Sequence, residues 1–147
     1  MLRINKMSDY GMLILGDLVL KKNTYVSATE IASSTHISLP TVQKLLKKLH
    51  KKELVISKQG PQGGYALHDS AKQTSVAMII KALEGDLSLT QCTSKEDKCD
   101  IESSCQIGNA WQVINRTIIS SLEKLTLLDL IQPSNIKQFI SMDIPVH

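Results

Sequence analysis

Aromatic side chains are scarce in this chain of 147 residues, which has one tryptophan, three tyrosines and one phenylalanine. Proteins that bind single-stranded nucleic acid stack bases on aromatic rings, so this scarcity disfavours that class. No apolar run approaches the roughly 20 residues that a membrane span needs. The N-terminus lacks the basic, apolar and small-residue pattern of a signal peptide. We therefore expect a cytoplasmic protein with no membrane partner.

Cysteine is also rare, and all three thiols lie within fourteen residues, at Cys92, Cys99 and Cys105. An odd number of cysteines in a reducing compartment argues against a framework of disulfides. The chain has no C-x-x-C pair, which weakens both a thioredoxin-like and a zinc-ribbon interpretation. The spacers are polar and charged, which disfavours a role as small core residues. Several soft ligands in one polar loop instead predict a site that binds iron or zinc.

Signals of catalysis and of nucleotide binding are missing as well. No histidine or carboxylate stands at a motif spacing that would activate the thiols, which disfavours a thiol-dependent oxidoreductase. The glycine-rich segment 59–64 matches neither phosphate-binding pattern, and no helix directly follows it. We therefore expect neither an enzyme nor a small-molecule substrate.

The charge is distributed unevenly along the chain. Residues 1–72 carry eleven Lys/Arg against five Asp/Glu, a net charge of +6, whereas residues 73–147 carry six against nine, a net charge of −3. A basic N-terminal part favours a polyanionic partner. We expect a DNA-binding domain over 1–72, a second part over 73–131 and a tail over 132–147.

The first 52 residues predict three helices. The first spans 8–20 and opens at Ser8, and the second starts with a capping box formed by Ser27 and Glu30. A turn at 35–38 leads to a third helix that Ser38 can cap. Its predicted inward face is Leu39, Val42, Leu45, Leu46 and Leu49, and its outward face is Thr41, Gln43, Lys44, Lys47, Lys48 and Lys51. An ordinary solvated amphipathic helix would look the same by itself, but a short helix, a turn and a second such helix predict a helix-turn-helix.

The segment after the third helix predicts a β-hairpin wing. Residues 54–56 and 65–67 read as strands, and the glycine-rich segment between them reads as a tight turn. Lys58 and Gln62 would then touch the DNA backbone or the minor groove. On the third helix the predicted contacts to double-stranded DNA lie near its start and along its outer face. They are Thr41, Gln43 and Lys44 nearest the bases, Lys47 and Lys48 toward the phosphates, and Ser38 and Pro40 at the start of the helix.

The second half predicts a linking helix that ends at Gly85 and a longer helix over 109–131. The longer helix carries an apolar stripe wider than one small domain could cover. A homodimer interface is the economical explanation, and packing on the helix's own domain is the alternative. The predicted interface residues are Trp111, Ile114, Ile118, Leu122 and Leu125. The fold class is therefore mainly α, a winged helix-turn-helix with a long C-terminal dimerisation helix.

Four segments together resemble the Rrf-two family of winged-helix regulators. They are the start M-L-R-I-N-K-M-S-D-Y-G, the third helix I-S-L-P-T-V-Q-K-L-L-K-K-L, the wing G-P-Q-G-G-Y-A-L and the pattern C-x6-C-x5-C-x5-W. Within the family the chain resembles the IscR and NsrR branches, and most of all the regulators of SUF-type cluster assembly. The resemblance implies a homodimeric transcription factor that represses or activates genes through an iron–sulfur cluster, usually [2Fe-2S], on the three cysteines.

The fourth cluster ligand departs from the IscR pattern. IscR-like members have a histidine three residues after the last cysteine, where this chain has Gly108. The NsrR-like branch uses an acidic residue of the partner protomer's first helix, and the matching residue here is Asp9. Other interpretations remain open: a cluster-free regulator that switches by thiol oxidation or through a protein partner, or a cluster regulator that responds to nitric oxide.

Overall fold

The structure is a computed structural model that describes residues 4–22, 24–85, 87–90, 93, 105–132 and 134–137. Within these residues the chain is mainly helical with one antiparallel hairpin, so the predicted fold class is confirmed. The elements are, in order, α1 (Lys6–Leu20), α2 (Ala28–Thr35), α3 (Leu39–Lys51), β1 (Val55–Lys58), β2 (Gly64–Leu67), a short 3-10 helix (Asp69–Gln73), α4 (Val76–Glu84), α5 (Gly108–Lys124) and α6 (Leu127–Ile131). None of the helices in this described part is long and apolar enough to cross a membrane.

The first helix begins two residues earlier than its sequence pattern indicates. Asn5 occupies the N-cap position, and its Oδ1 accepts a hydrogen bond from the Met7 N–H at 2.9 Å. Ser8 instead lies inside the first turn and is only 1% exposed. The prediction that Ser8 opens the helix was wrong, because asparagine and serine are about equally good caps and burial decided between them. The buried Ser8 Oγ has no hydrogen-bond partner among the described residues.

α2 and α3 form the predicted helix-turn-helix. The expected capping box is present: the Ser27 Oγ accepts from the Glu30 N–H at 3.2 Å, and the Glu30 carboxylate accepts from the Ser27 N–H at 2.8 Å. The Ser27 N–H and the Ser27 hydroxyl, which donates to the same carboxylate at 2.8 Å, hold the pKa of Glu30 below its ordinary value. In the turn, His36 takes a left-handed conformation with φ of 57°. Ser38 occupies the N-cap of α3, but its side chain makes no capping bond.

One hydrophobic core joins the helix-turn-helix to α4 and α6. Four of the five residues predicted for the inward face of α3 are buried there, and Leu39 is only half-buried. The core also contains Ile14 and Leu15 of α1, Ile79 of α4 and Leu127 of α6. α4 and α6 are therefore packed into the same core as the helix-turn-helix.

β1 and β2 form the predicted wing, and Lys58 lies opposite Gly64 in the antiparallel pairing. Tyr65 exchanges two backbone hydrogen bonds with Val26, at 2.9 and 2.7 Å, so the segment before α2 lies along β2. The two backbones are so close that a Cβ on Gly64 would lie 2.4 Å from the Val26 carbonyl oxygen. Gly64 also has a φ of +142°, a conformation that side chains rarely adopt, so only glycine fits here.

The predicted linking helix corresponds to α4. Its N-cap is Ser75, whose Oγ accepts from the Met78 N–H at 3.2 Å. It ends before Gly85, as predicted, and Gly85 has a φ of +101°. α4 therefore carries the chain from the core to the cysteine segment, of which residues 94–104 lie outside the described residues.

The helix predicted over 109–131 is divided into α5 and α6. Leu125 is extended, and Thr126 starts α6 with a capping box in which the Asp129 carboxylate accepts from the Thr126 N–H at 2.9 Å. The Val76 N–H donates to the Leu125 carbonyl at 2.8 Å, which ties this break to the start of α4. The prediction of one continuous helix was wrong because a local cap and a pairing with a distant segment outweigh the apolar periodicity.

Candidate nucleic-acid interface and cysteine site

α3 presents a basic surface on the side away from the core. Gln43, Lys44 and Lys47 are exposed on it, and Thr41 is half-buried near the start of the helix. The first turn carries no acidic residue. In helix-turn-helix proteins the second helix, called the recognition helix, contacts base edges in the major groove with its N-terminal part. Here the recognition helix is α3. The predicted contact residues therefore lie on the one face of α3 that a groove could receive.

Two hydroxyls meet at the start of this face. The Ser38 and Thr41 hydroxyl oxygens are 2.8 Å apart and share a hydrogen bond. Pro40, between them in sequence, is exposed. Because each hydroxyl has one hydrogen and two lone pairs, the pair keeps further capacity to donate to a phosphate or to contact a base.

Lys48 differs from its neighbours on α3. Its Nζ donates a partly buried hydrogen bond to the carbonyl oxygen of Leu83, in the last turn of α4. A cation at a helix C-terminus is favourable because the last carbonyls lack intrahelical partners. Lys48 is thus an exposed residue whose ammonium group is bonded to the end of α4.

The wing adds a second basic point with an aromatic neighbour. The Nζ of Lys58, at the end of β1, lies 5.8 Å from the centroid of the Tyr25 ring, within the range of a cation–π contact. Gln62 is exposed at the tip of the wing. Sequence reasoning missed Tyr25, because only the pairing of Val26 with Tyr65 brings this segment beside the wing. Tyr25 is thus the aromatic neighbour of the exposed Lys58 side chain.

The cysteine site is described in part. Cys92 and Cys99 lie outside the described residues, whereas Cys105 is a half-buried free thiol just before α5. A Cβ built on Gly108 would lie 3.7 Å from the Cys105 Sγ, so a side chain at position 108 would start beside the thiol. Glycine supplies no side-chain ligand atom there. A cysteine sulfur with no ligand side chain at position 108 fits a metal cluster that draws a further ligand from elsewhere.

Metal-ligand geometry beyond Cys105 remains a prediction. The described residues contain no group of three or more His, Cys, Asp or Glu side chains that could hold a metal ion. Asp9, the predicted fourth ligand, is exposed in the first turn of α1. Its carboxylate is therefore on the surface, where a partner protomer could approach it.

The chain is anchored to α5 shortly before the first cysteine. The Leu89 N–H donates to the Asn115 Oδ1 at 3.1 Å, and Asn115 is the one buried residue of α5, at 7% exposed. The Thr93 hydroxyl accepts from the Thr90 N–H at 3.1 Å and donates to the Thr90 carbonyl at 2.8 Å. These bonds fix residues 89, 90 and 93, which flank Cys92 in the sequence. A cavity of about 580 Å³ lies beside this anchor, between α4 and α5.

α5 exposes much of its apolar surface. Ile114 and Ile118, two of the predicted interface residues, are 42% and 36% exposed, and Val113 is 56% exposed. Trp111 and Leu122 are half-buried on the same helix. Leu125 was predicted to continue this stripe, but it is half-buried at the break after α5 and bonded to α4 through its carbonyl. An exposed apolar face on a helix packed mainly on α4 is typical of an interaction surface.

A mainly helical chain whose helix-turn-helix is followed by a two-stranded wing defines the class of winged-helix transcriptional regulators. The sequence profile of the Rrf2 (Rrf-two) family, described as "Iron-dependent Transcriptional regulator", matches residues 4–133. The chain therefore belongs to the Rrf2 family, as its sequence motifs predicted.

Individual relatives agree with this assignment. A Haemophilus influenzae protein of the HTH-type transcriptional regulator class is 32% identical over 138 residues, covering 93% of this chain and 91% of the relative. CymR (YrzC), the global cysteine regulator of B. subtilis, has a similar structure with a TM-score of 0.70 and 28% identity, covering 90% of this chain and 98% of CymR. T. potens IscR gives a TM-score of 0.66 and 26% identity, covering 99% of this chain and 94% of IscR.

Proposed function

We propose that this protein is a homodimeric DNA-binding regulator that senses iron–sulfur cluster status and controls cluster-assembly genes of the SUF type. The observation that carries the proposal is the position of all three cysteines in the single connection between α4 and α5. This connection follows directly on the core that holds the recognition helix. The family's description as iron-dependent and the similarity to IscR support the same reading.

The cluster, a [2Fe-2S] centre, would be held by Cys92, Cys99 and Cys105. When bound, it would supply a redox-active group whose loss or gain the protein can report. Gly108 offers no side-chain donor beside Cys105. The fourth ligand is Asp9 of the partner protomer, as the resemblance to the NsrR-like branch implies. A carboxylate oxygen binds iron less tightly than a thiolate or an imidazole does, which suits a cluster that must be lost readily.

The dimer forms through α5. Its exposed apolar residues become buried when two copies pack around a two-fold axis. The interface residues are Trp111, Ile114, Ile118 and Leu122, with Leu125 at the margin of the interface. A two-fold dimer places two recognition helices in successive major grooves and reads a pseudo-palindromic operator. α4 packs on α5 and on the core. Cluster binding in the segment that connects α4 to α5 can therefore alter the spacing of the two recognition helices.

DNA is read by the outer face of α3 and held by the wing. Thr41, Gln43 and Lys44 lie toward the bases, and a glutamine amide can discriminate an adenine edge. Lys47 and Lys58 lie toward phosphates, which supplies affinity without sequence information. Ser38, Pro40 and Gln62 line the margins of this surface, and Lys48 flanks it. To act as a switch, the cluster must bind one arrangement of the dimer more tightly than the other.

The first experiment measures the visible absorption spectrum, iron and sulfide of protein purified without oxygen. We expect charge-transfer bands with about two irons and two sulfides per protomer. Substitution to alanine at any of the three cysteines should abolish the bands and leave the dimer intact, whereas Ser103→Ala in the same segment should retain them. A colourless wild-type protein that cannot be reconstituted, or a cysteine variant with a native spectrum, would contradict the proposal.

The role of Asp9 can be tested in mixed dimers. A protomer with Asp9→Ala is combined with a protomer carrying Cys92→Ala. If Asp9 binds the partner's cluster, the mixed dimer regains one complete site, assembled from the cysteines of the first protomer and the Asp9 of the second. We expect about half of the wild-type iron in the mixed dimer and much less in either homodimer. Wild-type iron in the Asp9→Ala homodimer would remove Asp9 from the ligand set, and loss of iron in all three dimers would exclude a ligand from the partner protomer.

A second candidate is a regulator that switches by oxidation of its thiols. The half-buried free thiol of Cys105 favours it. It predicts a colourless protein whose operator affinity changes on treatment with peroxide and returns with a thiol reductant. The spectrum and this treatment together separate the two candidates.

A further inference from the structure

The last turn of α4 is the point where the chain leaves the DNA-binding core for the cysteine segment. Gly85 ends the helix with a φ of +101°, and the segment that carries the cysteines follows. Leu83 and Glu84, the last two residues of α4, are contacted from two different elements. The last turn of α4 is therefore in contact with both α3 and the start of α1.

One contact comes from the recognition helix. Lys48 donates to the Leu83 carbonyl, one of the terminal carbonyls of α4, and this bond is partly buried. The neighbouring Lys47 is exposed on the outer face of α3. Both lysines are exposed residues, but the Nζ of Lys48 is bonded to the helix end of α4.

The other contact comes from α1. The backbone N–H of Asn5 donates to the Glu84 carboxylate at 2.7 Å, across 79 positions of sequence. Gly11 lies so close to α4 that a Cβ there would be 2.7 Å from a methyl carbon of Leu83. Asn5 caps the helix whose first turn carries Asp9. The last turn of α4 is thus joined to the recognition helix and to the start of α1.

We propose that this turn transmits the state of the cysteine segment to the recognition helix, and that Lys48 is a positioning residue for α3 instead of a phosphate contact. The nature of the signal rests on the proposed cluster function, but the coupling itself does not. Because coupling between two sites is reciprocal, DNA binding must also change the behaviour of the last turn of α4.

The salt dependence of DNA binding distinguishes a lysine that contacts phosphate from one that positions α3. Lys48→Met keeps the aliphatic part of the side chain and removes the donor, and Lys47→Met is the matched control on the adjacent residue. The probe is a duplex that the wild-type protein enriches from a random library. Lys47→Met should lower the slope of log K against log salt by about 0.9, the value for one lost phosphate contact, and Lys48→Met should leave it unchanged. An equal fall with Lys48→Met would overturn the positioning role.

Hydrogen exchange measures the coupling without any cluster. In the wild-type protein, adding the duplex should slow exchange of the amides in the last turn of α4 by about fivefold or more, the lower end of typical couplings. Lys48→Met should lose this response, and Lys48→Arg, which keeps a cationic donor, should restore it. Glu84→Ala serves as a second variant from the α1 side if Lys48→Met proves unstable. No response in the wild type, or a full response in Lys48→Met, would refute the proposal.

The cluster-loaded protein supplies the last readout. The ratio of operator affinities with and without cluster should fall to within about twofold of one in Lys48→Met, against about fivefold or more in the wild type. An undiminished ratio in Lys48→Met would contradict the proposal. If the wild type holds no cluster, the proposed function fails, while salt dependence and hydrogen exchange still decide the role of Lys48.

Discussion

Gly64→Ala is expected to disrupt the wing by a steric clash, and Gly60→Ala is the control variant without the clash. A Cβ at Gly64 would lie 2.4 Å from the Val26 carbonyl oxygen and 2.6 Å from its carbon, and these backbone atoms are held by the paired bonds to Tyr65. Gly60 also has a positive φ, of +108°, but a Cβ there meets nothing within 4 Å. Gly60→Ala therefore measures the conformational strain alone, and Gly64→Ala measures strain plus clash.

The expected losses of stability follow from conformational strain and steric clash. Conformational strain at a sparsely populated φ costs about 1–3 kcal/mol, so Gly60→Ala should lower the free energy of unfolding by that amount. Overpacking against fixed atoms adds about 1–3 kcal/mol at Gly64. Because a domain is stable by about 5–15 kcal/mol, both variants should remain folded. Gly64→Ala should also weaken binding to all DNA sequences, because Lys58 is paired with Gly64 in the sheet.

The assay is urea denaturation of both variants, followed by DNA titration under conditions where both are folded. We expect Gly64→Ala to be the less stable by about 1–3 kcal/mol, with an unchanged denaturant slope. Equal destabilisation of the two variants would refute the argument that the Val26 backbone fixes the wing. Unchanged DNA affinity in a folded Gly64→Ala protein would remove the wing from the interface.

Three further predictions concern DNA reading, packing and pH. Gln43→Ala should relax base preference in a competition assay, whereas Lys47→Ala should weaken binding to all duplexes alike. Ser8→Ala should raise the free energy of unfolding by about 1 kcal/mol in denaturant titration, because it removes a buried hydroxyl without a partner. The hydrogen bonds that lower the pKa values of Glu30 and Asp129 stabilise the fold above their ordinary values of 4.5 and 3.8, and this contribution should be lost as the pH falls below them.

Each of these has an outcome that contradicts it. Equal effects of Gln43→Ala on specific and random DNA would mean that this side chain reads no base. A destabilised Ser8→Ala protein would show that the hydroxyl does find a partner in solution. For the pH dependence, the double variant Glu30→Gln, Asp129→Asn should lose stability less steeply in acid than the wild type. An identical acid titration of the two proteins would exclude the capping boxes as its source.

Local sequence signals predicted the recognition half of the molecule well. The Ser27–Glu30 capping box, the turn at residues 35–38, the wing with its glycines and the end of α4 at Gly85 each depend on neighbours within a few positions. The order of the cysteines and of the wing and helix motifs was sufficient to predict the family. In these cases backbone geometry and hydrogen bonding within one element select the residue type, so the residue type predicts the element.

Contacts between distant segments decided the rest. Asn5 rather than Ser8 caps α1 because packing buries Ser8, and Thr126 ends the long helix because its segment pairs with the start of α4. Lys48 and Lys47 look equivalent in sequence, yet the position of Leu83 gives one of them an internal partner. The amino-acid sequence by itself thus determined the elements of the recognition half and the family. Only the tertiary structure decided where α1 begins, where the long helix divides and which polar groups bond between elements, because these depend on packing that no local pattern encodes.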